Sequence, residues 1–572
     1  MQQDEYPKDL PPKYYLHYFK ELLSFVEKHY SSLLIQEEVD FLNRFAALSE
    51  DAQCLFIRFS NRSKSCFRVG KLQYSEISDL PACLQELLSA GLIKEVEECT
   101  QDNVSEDNVS EILGLYTKDE LLHTTRALEP EVMPLKSIKK QDLVRWLRHE
   151  YGDKSLYEAL SQTDPIVAVQ YEMEVMIMKF LFFGNRYSGM TEFVIRDLGH
   201  VKYQHFEEEQ LSVRFANRKE MEDSLMIALT KETFYAIQNQ LPPEEIYDWF
   251  MNWQTGVREN ISTPSIPAMD QLVVKIGTWL EKKKMPQQAL IVFQLTEAAP
   301  SRERRVRLLA KMEEHEEALA LCEEIALSPQ NADERFFAAD FTARMIKKKK
   351  RIVKSTTQAL KMAEPILLPI SRRFRVEQGI MDHYQACGYE TFFSENQPWR
   401  NLFGLLFWDI IHDTNVKAIH NPLQRVPSDF FLPDFYFKRS ENLNKRKQQM
   451  QDKSTLSAYL KDQFEVLYGT TNVLVSWYPE ALNRVLKIIE FLNIDQIFAV
   501  LFEMAINLRE NTRGFPDLFI WKNDECAFLE VKSPTDHLSA QQLHWQHFFE
   551  KQGIPCRIIR IKWEPSDVSI QS

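Results

Sequence analysis

Two carboxylates and a lysine lie beside two neighbouring apolar runs near the C-terminal end of the sequence. In GFPDLFIWKNDECAFLEVKSP, Asp517 precedes the run LFIW, and Glu530 and Lys532 lie near the end of the run CAFLEVK. The short turn between the runs predicts a β-hairpin, and Pro516 can precede its first strand without removing a ladder hydrogen bond. Because side chains alternate along a strand, Glu530 and Lys532 share one face, and Asp517 can reach the same end of the sheet. The pattern predicts two carboxylates and an ammonium group that converge at a strand end.

Carboxylates in this position are suited to a hard divalent cation. Mg²⁺ binds a few carboxylate oxygens while it keeps waters and phosphate oxygens of a substrate. A lysine beside the cation can orient or deprotonate an attacking water and can stabilise developing negative charge. These groups suffice for metal-assisted hydrolysis of a phosphodiester. A surface hairpin with an ion pair between Glu530 and Lys532 would also fit, so the hypothesis depends on the whole pattern of P-D, apolar run, turn and E-x-K.

Composition indicates a mainly helical protein of several domains. The chain has 572 residues, 44% of them apolar and 27% charged, with 15 glycines. This length exceeds one hydrophobic core, and long amphipathic stretches with few glycines favour helix. No apolar run has membrane-spanning length, and the first residues lack a signal-peptide pattern. The eight cysteines form no CxxC, which favours a reducing cytosol without zinc or disulfides.

Two basic tracts contrast with a net charge of −14. Residues 341–375 contain eleven Lys or Arg and one acid, a net of +10, and residues 51–75 contain five and one, a net of +4. In an acidic protein such tracts predict local phosphate binding about as readily as a solvated helix face. The candidates for DNA contact are Arg58, Arg62, Lys64, Lys347, Lys348, Lys349 and Lys350.

The first half of the chain predicts two DNA-binding regions. Residues 1–115 form an N-terminal helical and winged region, in which CLFIRFSNRSKSCFRVGKLQY partly alternates and predicts a hairpin. Thr117 and Glu120 fit a capping box that begins a helix. This helix and the next one, which opens with basic residues, resemble a SAP-type DNA-binding pair, so residues 116–240 are predicted to form a SAP-like domain. In the second helix of this pair, Leu143, Trp146 and Leu147 share one face.

The second half predicts a helical array followed by a mixed α/β region. Residues 241–370 form a TPR-like helical repeat domain, since PQQALIVFQL and HEEALALCEEI align at an offset of 29 residues. Ordinary helix packing would also explain two such copies. Residues 371–572 combine long helices with the strand-like runs LFIW, CAFLEVK and CRIIRIKW, which predicts a small mixed sheet.

The C-terminal motif closely resembles a known class of nucleases. P-D followed by E-x-K is the PD-(D/E)xK signature, and GFPDLFIW…FLEVKSPTDHLSAQQLHW resembles its VRR-NUC subgroup. The order of SAP-like helices, helical repeats, NLFGLLFWDII and this motif is similar to that of the Fanconi anaemia-associated nuclease family, particularly its bacterial members. The implied fold is multidomain and mainly α, with SAP-like and TPR-like helical domains before a C-terminal α/β PD-(D/E)xK (VRR-NUC) nuclease domain.

The resemblance implies a structure-selective 5′-flap endonuclease and 5′→3′ exonuclease in DNA interstrand-crosslink repair, dependent on Mg²⁺ or Mn²⁺. Asp517, Glu530 and Glu395 match its metal ligands, the Val531 carbonyl would complete the site, and Lys532 matches its catalytic lysine. Glu395 precedes a long helix, where a negative charge is favourable in any case. The implied partner is branched or flapped DNA. The resemblance also implies a monomeric protein that does not bind a membrane. The implied location is the bacterial cytoplasm at the nucleoid, or the nucleus in a eukaryote.

Three further residues match family positions near the site, and a fourth departs from the family pattern. Gln542 matches a glutamine close to the metal, and with Ser539 it also forms a capping box at the start of a helix. Arg509 and Arg335 match a pocket for the 5′-terminal phosphate, although both would also fit an ordinary surface. Gln541 stands where some relatives have a phosphate-contacting lysine, which puts that contact in doubt.

Two other functions fit parts of the sequence. Stand-alone VRR-NUC proteins are Holliday-junction resolvases that act as dimers, whereas this chain has large additional DNA-handling regions. A non-catalytic helical-repeat scaffold with an inactive nuclease fold would also bind DNA. The presence of Asp517, Glu530 and Lys532 in chemically competent form favours the enzyme.

Overall fold

The computed structural model describes residues 9–62, 64–96, 112–127, 137–161, 164–347 and 352–564. Contacts divide the chain into two units, Met1–His200 and Val201–Ser572. The predicted mainly helical architecture with a C-terminal mixed sheet is confirmed. Within the described ranges, no helix combines the length and apolarity needed to cross a membrane.

The first unit combines helices with a small antiparallel sheet. Its helices are α1 Tyr14–Tyr30, α2 Gln36–Ala46, α3 Glu50–Ser60, α4 Leu80–Ser89, α5 Lys118–Ala127, α6 Lys140–Ser161, α7 Glu172–Phe183 and α8 Thr191–Asp197. Its strands are β1 Cys66–Arg68, β2 Ile93–Glu95 and β3 Ile166–Val169. β3 lies between β1 and β2 and is antiparallel to both. The sheet therefore joins strands from both predicted regions of the first half of the chain.

The predicted hairpin in residues 54–74 is wrong. Residues 54–60 belong to α3, whose N-cap Ser49 accepts a hydrogen bond from the Ala52 N–H. Phe56 and Ile57 are both fully buried. Because the helix is buried on several sides, its sequence lacks the polar face that repeats every 3.6 residues in an exposed helix. The sequence pattern therefore resembles that of a strand. β1 is the extended part of this stretch, and it pairs with the distant β3.

The predicted helix start at Thr117 is confirmed. The Thr117 N–H donates to Oε2 of Glu120 over 2.7 Å, and the Glu120 N–H donates to Oγ1 of Thr117 over 3.3 Å. In α6, Leu143 and Leu147 are buried and Trp146 packs against the same apolar cluster, as predicted. Gly152 interrupts α6 with a φ of +70°.

Successive helices form the first part of the second unit. They are α9 Arg218–Ile237, α10 Pro243–Arg258, α11 Ile266–Lys282, α12 Pro286–Phe293, α13 Ser301–Lys311, α14 His315–Leu327, α15 Ala332–Ile346 and α16 Ser355–Met362. The two aligned segments begin α12 and α14, and each follows another helix after a short connection. Ala289 and Ala318 are both fully buried, and each lies in an apolar cluster formed by neighbouring helices.

A five-stranded sheet and its helices complete the second unit. The helices are α17 Val376–Ala386, α18 Gln397–Leu406, α19 Trp408–Ile411, α20 Phe435–Gln449, α21 Lys453–Val466, α22 Pro479–Phe491, α23 Ile494–Ile506, α24 Leu508–Asn511 and α25 Ala540–Lys551. The strands are β4 Glu364–Leu368, β5 Glu390–Phe393, β6 Leu518–Lys522, β7 Glu525–Lys532 and β8 Cys556–Trp563. Their order is β4-β8-β7-β6-β5, so β7 is central.

The three predicted strand runs are confirmed as β6, β7 and β8. β6 is antiparallel to β5 and β7, whereas β8 is parallel to β7 and β4. β4 and β5 were not predicted, and β4 begins before residue 371, the predicted start of the nuclease domain. Alternate residues of β6 and β7 face two apolar clusters, a smaller one that includes α17 and a larger aromatic one that includes α18, α23 and α25.

Candidate active site

The ends of three strands bring the predicted residues together. Asp517 stands directly before β6 and level with Glu530 of β7. Glu395 follows the end of β5 at the same edge of the sheet. Glu530 and Lys532 lie two positions apart on β7 and therefore share one face, as predicted. The central strand thus presents a carboxylate and an ammonium group beside the start of its neighbour.

The Glu530 carboxylate is deeply buried, and one of its oxygens has no hydrogen-bond partner. The residue is 3% exposed. Its Oε1 lies 2.8 Å from Nζ of Lys532 and accepts a hydrogen bond from Nε2 of Gln542 over 2.6 Å. Its Oε2 is buried and unpaired among the described residues. Because an unpaired buried carboxylate oxygen is costly, a divalent cation that binds there would compensate, and the site fits such an ion.

Burial controls the ionisation of this cluster. Burial and then the charge of Asp517 raise the pKa of Glu530 to about 8, although Lys532 acts in the opposite direction. Burial also raises the pKa of Asp517 to about 6, against the Val531 hydrogen bond and the Lys532 charge. Burial favours the neutral amine of Lys532, but the charge of Glu530 outweighs it and holds the pKa above its ordinary value. Lys532 is therefore an ammonium donor at neutral pH.

Ser394 ties β5 to the segment before β6. Its N–H donates to the Asp517 carbonyl over 2.8 Å, and its Oγ donates to the Pro516 carbonyl over 2.9 Å. The Asp517 side chain accepts the Val531 N–H on Oδ2 over 2.8 Å. These bonds fix the Asp517 carboxylate against β7 and bring Glu395, the next residue after Ser394, beside it.

Aromatic packing and a glycine hold the turn before Asp517. Gly514 has a φ of +80°, and a Cβ at this position would lie 2.8 Å from Cγ of Gln541. Phe515 stacks on Trp545 with ring centroids 4.1 Å apart, and its N–H donates to Oδ1 of Asn396 over 3.2 Å. Gln541 itself is buried, so it supports this turn instead of extending towards DNA.

Glu395 lies near the buried Glu530 and the half-buried Asp517 but is itself exposed. Its charge contributes to the raised pKa of Asp517 and of Glu530. Its Oε1 accepts a hydrogen bond from the Asn396 amide over 3.3 Å. No group of three or more His, Cys, Asp or Glu side chains in the described ranges is arranged to hold a metal ion. The structure therefore brings Asp517 and Glu530 together and leaves Glu395 as their neighbour.

Gln542 makes both of its predicted kinds of contact. Its N–H donates to Oγ of Ser539 over 3.1 Å, and its Oε1 accepts the Ser539 N–H over 3.0 Å, which completes a capping box. The nitrogen of the same amide binds Glu530. The start of α25 therefore orients a donor towards the central strand.

The two predicted pocket arginines have different surroundings. Nη2 of Arg335, on α15, donates to Nδ1 of His544 over 2.9 Å. Oε1 of Glu503 lies 3.0 Å from Nε2 of the same imidazole. Arg509 is exposed on the short helix α24, eight residues before Asp517. His544, which sequence reasoning did not select, thus links Arg335 to an acidic residue.

The other basic candidates are not equivalent. Arg58 lies in an ion pair with Glu76, with Nη2 2.5 Å from Oε1, and 4.2 Å from the Tyr15 ring, so its charge is already compensated. Arg62, Lys64 and Lys347 are exposed. The remaining three candidates, Lys348, Lys349 and Lys350, lie outside the described residues.

Sequence reasoning also missed Ser394 and Glu377. Glu377 lies in the first turn of α17, and its charge contributes to the raised pKa of Asp517. No local motif marks either residue, because each acts through a contact between segments more than a hundred residues apart. An acid in the first turn of a helix is ordinary and gave no distinctive signal.

Two family models match separate parts of the chain. Residues 13–94 match the model described as FAN1, HTH domain, and residues 451–563 match the VRR-NUC domain. The second range includes Asp517, Glu530 and Lys532, whereas Glu395 and Arg335 precede it.

Relatives match over nearly the whole chain. A Fanconi-associated nuclease 1 homolog of Pseudomonas aeruginosa is 26% identical, over 97% of each chain. A homolog of Arabidopsis thaliana is 24% identical, over 98% of this chain and 68% of its own length. The crystal structure of paFAN1 bound to 2nt 5′flap DNA with gap shares the fold, with a TM-score of 0.81, 24% identity, and coverage of 98% of this chain and 100% of that chain.

Residues 451–563, which include Asp517, Glu530 and Lys532, are similar to the VRR-NUC class of nuclease domains. Over nearly its whole length, the chain is similar to the Fanconi-associated nuclease family. Nucleases of this family generally use divalent metal ions.

Proposed function

We propose that the chain is a structure-selective DNA nuclease that cuts flapped or branched DNA with the help of Mg²⁺ or Mn²⁺. The observation that carries this proposal is the buried Glu530 carboxylate, which has an unpaired Oε2 and lies against Lys532 and Asp517. The fold that it shares with a structure of paFAN1 bound to 5′-flap DNA supports this class of substrate.

Asp517, Glu530, Glu395 and the Val531 carbonyl would hold the metal ion. When bound, the ion supplies positive charge that polarises the scissile phosphate and lowers the cost of ionising a water. Lys532 carries its proton at neutral pH, so it donates a hydrogen bond that orients the water and stabilises charge on the phosphate. The water oxygen bonds to phosphorus, the P–O3′ bond breaks and O3′ gains a proton. The products are a 5′-phosphate and a 3′-hydroxyl.

We further infer that the activity is that of a 5′-flap endonuclease and 5′→3′ exonuclease in interstrand-crosslink repair. Arg509 and Arg335 would bind the 5′-terminal phosphate, with Arg335 oriented by His544. Exposed Arg62, Lys64 and Lys347 would contact the phosphate backbone elsewhere. The protein would act as a monomer, in bacteria at the nucleoid.

A 5′-labelled flap substrate tests this function. Incubation with Mg²⁺, with Mn²⁺ and with EDTA should show cleavage at the flap that requires either metal. Product mapping on flaps and on four-way junctions separates this activity from symmetric cutting by a junction resolvase. Binding to the flap without any cleavage in either metal would overturn the proposal and leave a non-catalytic DNA-binding protein.

A further inference from the structure

A strongly exposed phenylalanine lies in the short segment between β4 and α17. Residues 371–375, with the sequence SRRFR, are all exposed, and Phe374 is 83% exposed. A single exposed apolar side chain is common and needs no function by itself. The surroundings of this ring therefore decide what it does.

One cation lies against the ring, and two more arginines are close to it in the sequence. The Arg373 guanidinium lies 4.5 Å from the centroid of Phe374. Arg372 is in an ion pair with Asp382 at 2.7 Å, and Arg375 is exposed. An aromatic face with arginines beside it is the arrangement that proteins use to stack a nucleobase and bind its phosphate.

The strand order places this segment at the same ends of the strands as the candidate active site. β4, β8 and β7 run parallel, and Pro365, Arg560 and Lys532 stand level in the register. β4 continues past this level to Leu368, so the segment that follows β4 emerges at the same edge as Lys532.

The start of α17 limits how far the ring can lie from the site. Glu377 is the second residue of α17, and its neighbour Val376 lies in the same apolar cluster as Val531, the residue between Glu530 and Lys532. Three consecutive Cα–Cα steps separate Phe374 from Glu377, so their Cα atoms are at most about 11 Å apart. That distance is comparable to the length of about three stacked nucleotides along a DNA strand.

We propose that Phe374, supported by Arg373, is a stacking subsite for an unpaired nucleobase of the DNA substrate, next to the scissile phosphate. Arg375 supplies a cation for the phosphate of that nucleotide. This inference rests on the proposed function, and it adds a subsite that recognises a single-stranded portion of the substrate. It predicts that the protein distinguishes DNA with an unpaired nucleotide at the site from the corresponding fully paired duplex.

Binding measurements with the full chain in EDTA test the subsite without catalysis. The DNA probes are a 5′-flap duplex with 2-aminopurine in the flap, a nicked duplex without a flap, and a flap with an abasic nucleotide. Phe374→Ala should bind the flap roughly tenfold more weakly than the wild type and the nicked duplex equally well. Phe374→Trp should retain flap binding. The wild type should quench the 2-aminopurine emission, and Phe374→Ala should not.

Phe437→Ala is the matched control. Phe437 is also exposed on the second unit, at 75%, but its basic neighbours Lys438 and Arg439 are paired with Asp434 and Asp429. This variant should bind all three probes as the wild type does. One abasic nucleotide in the flap should weaken DNA binding by the wild type as much as the Phe374→Ala substitution does. The same abasic flap should not weaken binding by Phe374→Ala any further.

Three results would overturn the subsite: equal flap binding by Phe374→Ala and the wild type, an equal loss on flap and nicked duplex, or quenching that persists in Phe374→Ala. An equal loss on both DNAs would instead indicate a general contact with duplex DNA. A wild type that binds the flap without cleaving it in Mg²⁺ or Mn²⁺ would overturn the proposed function alone, because the stacking measurement does not need cleavage.

Discussion

The side-chain amide of Gln542 donates a hydrogen bond to Oε1 of Glu530 over 2.6 Å, and its oxygen accepts the N–H of Ser539 over 3.0 Å. One residue therefore begins helix α25 and orients the carboxylate of the central strand. The other oxygen of Glu530, Oε2, is buried without a hydrogen-bond partner among the described residues. A bound cation would compensate this unpaired oxygen.

The two roles of Gln542 can be separated by mutation. Gln542→Glu keeps the oxygen that caps the helix but replaces the donor to Glu530 with a like charge, so we expect a roughly tenfold or greater loss of the cleavage rate. Its thermal stability should change little. Ser539→Ala should do the reverse and cost about 1 kcal/mol of unfolding free energy with little effect on the rate. Single-turnover kinetics and urea unfolding measure both, and equal stability losses in the two variants would refute the separation.

Stability without divalent metal should fall as the pH rises. Asp and Glu in an unfolded chain ionise near pH 4, whereas Asp517 and Glu530 do so at about 6 and about 8. Between these values the native state holds protons that the unfolded state has lost. The free energy of unfolding should therefore decrease as the pH rises from about 4, up to about 6 through Asp517 and up to about 8 through Glu530, by up to about 1.4 kcal/mol per pH unit for each carboxyl.

Glu530→Gln is the control for this pH dependence. It removes the group that titrates at about 8, so urea unfolding in EDTA should show a flatter dependence above neutral pH than in the wild type. In the wild-type protein, excess Mg²⁺ or Mn²⁺ should restore at alkaline pH the stability that is lost in EDTA, because the ion binds the ionised carboxylates. An identical pH slope in both proteins would contradict the raised pKa of Glu530.

Ser394 should influence metal affinity without touching the metal. Ser394→Ala removes the Oγ hydrogen bond to the Pro516 carbonyl and loosens the link between Glu395 and Asp517. We expect Mn²⁺ binding, measured by electron paramagnetic resonance, to weaken by roughly tenfold or more. Ser394→Thr keeps the hydroxyl and should retain most of the affinity. A full-strength Mn²⁺ site in the alanine variant would show that this link does not position the ligands.

His544 should act through Arg335 on substrates with a 5′-phosphate. His544→Phe removes the acceptor for the Arg335 guanidinium, so KM for a 5′-phosphorylated flap should rise while kcat stays nearly unchanged. Substrates with a 5′-hydroxyl should be cut equally by the variant and the wild type. His544→Asn, which offers another acceptor, should recover part of the discrimination. An equal increase of KM for both substrates would exclude this role.

The C-terminal hairpin could be predicted because its information is local. β6, β7 and the residues Asp517, Glu530 and Lys532 lie within one short stretch, where strand alternation alone gives their shared edge. The capping boxes at Thr117 and Ser539 were predictable for the same reason. In each case the side chains that interact are close together in the sequence.

The contacts that complete the site could not be predicted in this way. β5 is a four-residue strand, and Ser394 binds Pro516 across 122 positions of the sequence. The helix around Phe56 was mistaken for a strand because burial on several sides removes the polar face that identifies a helix. These features depend on packing between distant segments, so the sequence of one segment alone does not predict them.

The cleavage rate of Lys532→Ala and Asp517→Ala tests the central claim most directly. The measurement is single-turnover cleavage of a 5′-labelled flap in Mn²⁺, with DNA binding by each variant measured in parallel. Loss of a metal ligand or of the ammonium donor should lower the rate by roughly a hundredfold or more, while flap binding is retained. Cleavage by either variant at the wild-type rate would contradict the assignment of this strand end as the catalytic site.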